Sequence, residues 1–115
     1  MTEPHLHSPL PHGIDAAQAE RLSAPFALLS DPSRLRIVYA LVEGGPMCVS
    51  DVAAAAGSAH SATSHQLAKL KAAGVVRSER KGREIWYQVA DAHIRVLLDV
   101  AAEHYLAERG DGPAS

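Results

Sequence analysis

Between Ile14 and Ser30 the apolar residues Leu22, Phe26 and Leu29 fall at i, i+4 and i+7, which is one face of a helix. "DPSRLRIVYALVEGG" then supplies a start and a stop. Asp31 can cap free N–H groups, Pro32 suits the first helical position, and Gly44-Gly45 ends the run. Leu35, Val38, Leu41 and Val42 are the positions this helix sends to the core. "CVSDVAAAAG" has the length of a short helix, with Asp51 in the first turn, where the helix dipole favours an acid, and Gly57 at its end. "SAHSATSHQLAKLKAAG" follows almost at once, with Thr63, Leu67 and Leu70 on one face and Gly74 as the stop. Two helices joined by so few residues match a helix-turn-helix.

The period then changes. "VVRSER" and "EIWYQV" are rich in β-branched and aromatic residues around "KGR", which predicts a hairpin turning near Lys81-Gly82. In its second strand Ile85, Tyr87 and Val89 share one face, and Trp86 and Gln88 the other. Asp91 caps a last helix running to about Arg109, with an apolar stripe of Ile94, Leu97, Leu98, Ala101 and Tyr105. The order α-α-α-α-β-β-α predicts a mostly α domain with a β-hairpin wing, a winged helix-turn-helix, over residues 14–109. Residues 1–13 read as a flexible His- and Pro-rich arm, and 110–115 as a frayed tail.

Composition narrows the function. A chain of 115 residues, 47% hydrophobic, suits one globular domain. No apolar run approaches the roughly 18 residues of a membrane span, and the start lacks a signal-peptide pattern, so a cytoplasmic protein is expected. The single cysteine, Cys48, excludes an intramolecular disulfide and a Cys-only zinc site. The net charge is −2, but Lys69, Lys71, Arg77, Arg80, Lys81 and Arg83 stand against only Glu79 and Glu84, a local balance of +4. A basic stripe on a mildly acidic body suits a DNA contact surface. An enzyme is not expected. There is no Gly-rich phosphate loop and no supported Ser-His-Asp or Cys-His arrangement.

"LLSDPSRLRIVYAL", "CVSDVA", "SATSHQLAKLKAAGVV", "GREIWYQV" and the terminal "DAH…H" come in an order that resembles the ArsR/SmtB family of metal-sensing bacterial repressors. The resemblance covers roughly Leu22 to Glu108. It implies a homodimer that binds double-stranded operator DNA at an inverted repeat, with metal binding usually weakening that contact. Short polar residues early on the second helix of a helix-turn-helix can reach base edges, and His60, Ser61, Ser64 and His65 qualify. Ser61, Ser64 and His65 match the family's S-x-x-S-H run. His60 stands where Gln is frequent, and Thr63 replaces an apolar residue, so its hydroxyl needs a partner. Lys69 and Lys71 fall nearer the phosphates, and Arg77, Arg80, Lys81 and Arg83 on the wing face the DNA backbone or the minor groove.

Asp91, His93 and His104 are the second chemical signal. The two histidines are eleven residues apart, nearly on one face, yet about 16 Å apart along the axis. Metal–nitrogen bonds are about 2 Å long, so one helix cannot bring both to one ion. An antiparallel partner helix can, which predicts a dimer with two symmetric sites, its contact supplied by the apolar stripe of the same helix. The resemblance supports this ligand pattern, but its fourth position is Ala107 here. Glu108, or Glu103 beside His104, can substitute, and nickel-sensing relatives suggest His5 and His7 from the arm. These nitrogen and oxygen donors point to nickel or zinc, and also to cobalt, as effector. The thiolate-binding C-x-C of other relatives is incomplete, because Ser50 follows Cys48 at the second position. Cys48 then reads as a structural residue near a helix start, with redox sensing as a minor alternative. A regulator with lost or weak direct metal control, acting as activator or with a protein co-regulator, is the alternative that Ala107 motivates.

Overall fold

Aspartates start three of the helices. The computed structural model describes residues 13–107. In α1, Ala16–Leu29, Asp15 accepts from the backbone N–H of Gln18 at 2.8 Å while Gln18 accepts from that of Asp15 at 3.0 Å. In α2, Pro32–Gly44, Asp31 accepts from Arg34 N–H at 3.0 Å. In the last helix, Asp91 accepts from Ile94 N–H at 3.0 Å. Each cap contributes about 1 kcal/mol. After the two-residue β1, Met47–Cys48, come α3, Val49–Ala56, and α4, His60–Ala72. The hairpin is β2, Val76–Lys81, and β3, Glu84–Val89, and α5 is Ala92–Leu106.

Gly57 makes the α3–α4 turn tight. It sits at φ +67°, and a Cβ there would lie 2.9 Å from the Arg36 guanidinium. Its neighbour Ser58 donates to the Ala53 carbonyl at 2.9 Å, closing the end of α3. The sheet is antiparallel in the order β1-β3-β2, with Cys48 opposite Trp86 and Val76 opposite Val89. The core joins α2, α3, α4 and the base of the wing through Ile37, Val38, Leu41, Val52, Leu67, Leu70, Val75 and Val76. The predicted winged helix-turn-helix is therefore the fold.

Four details differ from expectation. Ile37, not Leu35, takes the first deep position of α2, and Leu35 is half-buried beside an apolar groove. β1 was absent from the pattern, because two residues carry no alternation. α1 buries no residue fully, and Leu22 and Phe26 are exposed. The last helix ends at Leu106, because Ala107 turns to φ −61°, ψ 147°. Tyr105 is 80% and Leu106 72% exposed, so no burial among the described residues supports another turn.

Two polar bonds fasten α5 to α2. The Tyr39 hydroxyl donates to the Leu98 carbonyl at 2.8 Å, and Arg95 Nη1 donates to the Val42 carbonyl at 2.8 Å. Burial, and then the nearby Asp99 carboxylate, raise the Tyr39 pKa above its ordinary value of 10.0. The raised value means the neutral phenol is the form the fold favours. Its stabilisation is complete below the unfolded pKa and lost as pH rises through the folded one. Tyr39→Phe is therefore expected to cost about 1 kcal/mol at pH 8. The gap to wild type should narrow above pH 10, as read by denaturant unfolding at a pH series. A gap that stays constant with pH would count against this role of the hydroxyl.

Candidate DNA-reading surface and metal ligands

α4 is held by one face and open on the other. Thr63, Leu67 and Leu70 are fully buried. The Thr63 hydroxyl donates to the Ala59 carbonyl at 2.8 Å, which supplies the partner that a threonine at a core position requires. His60, Ser61, Ser64, His65, Lys69 and Lys71 are all exposed. The polar residues singled out from sequence thus lie outside the anchored face of α4, and His60 and Ser64 also border a cleft with Cys48, Glu84 and Ile85.

The wing divides its charges between two faces, because strand side chains alternate. Arg77 and Lys81 share a face with Trp86, through the pairs Arg77–Gln88, Glu79–Trp86 and Lys81–Glu84. Lys81 Nζ lies 5.2 Å from the centre of the Trp86 ring, a cation–π contact at the wing tip. Arg80 points to the opposite face, opposite Ile85, and its guanidinium donates to the Gly82 carbonyl at 3.4 Å. Arg83 is exposed in the turn. The four wing cations are therefore divided between the two strand faces and the turn.

Asp91 and His93 come together at the start of α5, with Asp91 Oδ1 and His93 Nδ1 3.9 Å apart. Their side chains are 58% and 99% exposed. His104 stands on the last turn, edge-on to Tyr105 with ring centres 4.6 Å apart. Among the described residues no group of three or more His, Cys, Asp and Glu side chains forms a metal cluster. Glu108, His5 and His7 lie outside the described residues. Cys48 precedes α3 and its thiol lies 3.5 Å from Asp51 Oδ2.

The stripe expected to supply the dimer contact turns partly inward, with Leu98 buried and Ile94 and Ala101 half-buried, and the exposed apolar face adds Val96 and Val100, which that stripe did not include. His93, Val96, Leu97, Val100 and His104 recur at i, i+3, i+4, i+7 and i+11, so they line one face of α5. Val96, Leu97 and Val100 are 59%, 48% and 54% exposed. The signal was present in the spacing but was overlaid by the stripe that packs inward through Ile94 and Leu98.

The model for bacterial regulatory proteins of the arsR family matches residues 31–78. The HTH-type transcriptional regulator NmtR of Mycobacterium tuberculosis is 41% identical over 91 residues, 79% of this chain and 75% of that protein. The chain belongs to the ArsR family. A crystal structure of AntR, an antimony-specific transcriptional repressor, has 32% identity and a TM-score of 0.71, covering 88% of this ArsR-family chain and 89% of that one. A solution structure of a homodimeric winged helix-turn-helix DNA-binding domain from Mycobacterium bovis has 27% identity and the same TM-score, covering 86% and 93%. This ArsR-family chain is a regulator rather than an enzyme. Among the described residues no helix is long and apolar enough to cross a membrane.

Proposed function

We propose that the chain is a homodimeric transcriptional repressor that binds an inverted repeat in operator DNA and responds to nickel, zinc or cobalt held between the two α5 helices. The observation that carries the reading is the exposed apolar stripe of α5 with a histidine at each end. Laid antiparallel against a copy of itself, that stripe buries Val96, Leu97 and Val100. The same move brings Asp91 and His93 of one chain toward His104 of the other. The donor set is imidazole and carboxylate, which suits nickel, zinc or cobalt better than the soft ions that thiolates prefer. The metal's contribution when bound is to cross-link the two helices. Glu108, His5 and His7 are the candidates for the remaining positions, since Ala107 offers no donor.

α4 reads bases with Ser61, Ser64 and His65, assisted by His60, while Lys69, Arg77, Arg80, Lys81 and Arg83 meet phosphates or the minor groove. The test is fluorescence anisotropy of the metal-free protein at fixed salt on a duplex enriched from a random-sequence pool, and on its scrambled version. Nickel, zinc or cobalt should reversibly lower affinity for the enriched duplex. Combined Ser64→Ala and His65→Ala should lower discrimination about tenfold to a hundredfold. Arg83→Ala should weaken both duplexes alike and reduce the salt slope by about one. Unchanged operator affinity in the double variant would remove the base-reading assignment. Tight binding indifferent to all three metals would favour a regulator without direct metal control, the reading that Ala107 motivates.

A further inference from the structure

Apolar contacts hold α4 against the core through Thr63, Leu67 and Leu70, but such contacts are non-directional. They fix which face of α4 points inward, and a directional bond is what narrows the rotation that remains. Gln66 flanks the buried stripe, between exposed His65 and buried Leu67, and is half-buried. Its Oε1 accepts a hydrogen bond of 2.6 Å from Nε of Arg34, in the first turn of α2. The other side of that guanidinium is held as well, because Nη1 donates to the Leu28 carbonyl at the end of α1 at 3.1 Å. The Asp31 cap fixes the backbone N–H of Arg34 itself. A planar fork used in two directions is a rigid strut between α1, α2 and α4.

We propose that Arg34 is a positioning residue for DNA reading, which acts through Gln66 to set the rotation of α4. A helix with side chains has a radius of about 5–6 Å, so a turn of roughly ten degrees moves a side-chain tip by about 1 Å. That is enough to spoil hydrogen bonds from Ser61, Ser64 and His65 to base edges. The inference rests on α4 being the DNA-reading helix. It adds a residue whose own contacts are to protein, on the side of α4 away from its exposed polar face.

The experiment measures Arg34→Met, Gln66→Met, the double variant and Gln66→Glu in the full chain, on the enriched and the scrambled duplex, with salt titrations. Each single Met variant should lose about tenfold on the enriched duplex and nothing on the scrambled one. The double variant should be no worse than either single. Gln66→Glu keeps an acceptor for Arg34 and should retain discrimination. Equal loss on both duplexes with a shallower salt slope would instead make Arg34 a phosphate contact. Additive losses, or undiminished discrimination, would also overturn the proposal. If Arg34→Met does not fold, the Gln66 pair decides: Met and Glu behaving alike rejects the strut. A wild type that enriches no duplex overturns the reading of α4, and this inference with it.

Discussion

Val100→Glu is expected to convert the protein to a monomer and to lower its affinity for the enriched duplex by about a hundredfold or more. Val100 is 54% exposed in the single chain, and the buried residue beside it on α5 is Leu98. The substitution therefore leaves the chain's own core intact. Its effect falls on the exposed face of α5 formed by Val96, Leu97 and Val100. Leu97 also borders an apolar groove of about 320 Å³ between α1, α2 and α5, lined by Phe26, Leu29, Leu35, Tyr39 and Tyr105, among others. Exposed apolar patches of this kind mark association surfaces. In an antiparallel pairing of α5 helices the new carboxylates enter an apolar contact, at a cost of several kcal/mol. A monomer presents one α4 to one half-site and loses the gain from linked binding. Light scattering gives the mass, anisotropy gives the affinity, and thermal unfolding checks that the chain is folded. A Val100→Glu protein that stays dimeric would put the interface elsewhere.

Local chemistry was legible in the sequence where it was self-contained. Asp31 with Pro32, Gly57, and the spacing of Thr63, Leu67 and Leu70 each specify a conformation through neighbours within a turn or two. The structure has all of them. What was not legible depends on distant partners. β1 exists only because β3 presents an edge to Met47 and Cys48. Whether Leu35 or Ile37 goes deepest depends on where α3 and α4 lie. The Arg34–Gln66 bond joins residues 32 positions apart and has no local signature. The α5 face with Val96 and Val100 was ambiguous for another reason. Apolar residues surround much of that helix, and among the described residues only Leu98 of α5 is buried. For the candidate metal ligands, the eleven-residue spacing of His93 and His104 on α5 is the whole of the sequence signal, and a second chain is not among the described residues.

His93→Ala is expected to abolish the metal response while leaving metal-free DNA affinity within about twofold of wild type. The side chain is 99% exposed and contributes nothing to the core, and the Asp91 cap on Ile94 survives its removal. Effector coupling in such systems is typically 5–150-fold, and it should fall to about one. His104→Ala should do the same. The stronger test combines them. In a heterodimer of one His93→Ala chain and one His104→Ala chain, an arrangement across the two chains concentrates both losses in one site. The other site keeps Asp91 and His93 from the His104→Ala chain and His104 from the His93→Ala chain. Such a heterodimer should recover a metal response that neither homodimer has. Ligands confined within each chain would leave both sites broken and no response. Co-expression with two different affinity tags isolates the heterodimer, and anisotropy with nickel, zinc and cobalt reads the recovery. Recovery would assign the ligands across the interface in a way no single substitution can, because only a shared site can be mended by mixing two defective chains.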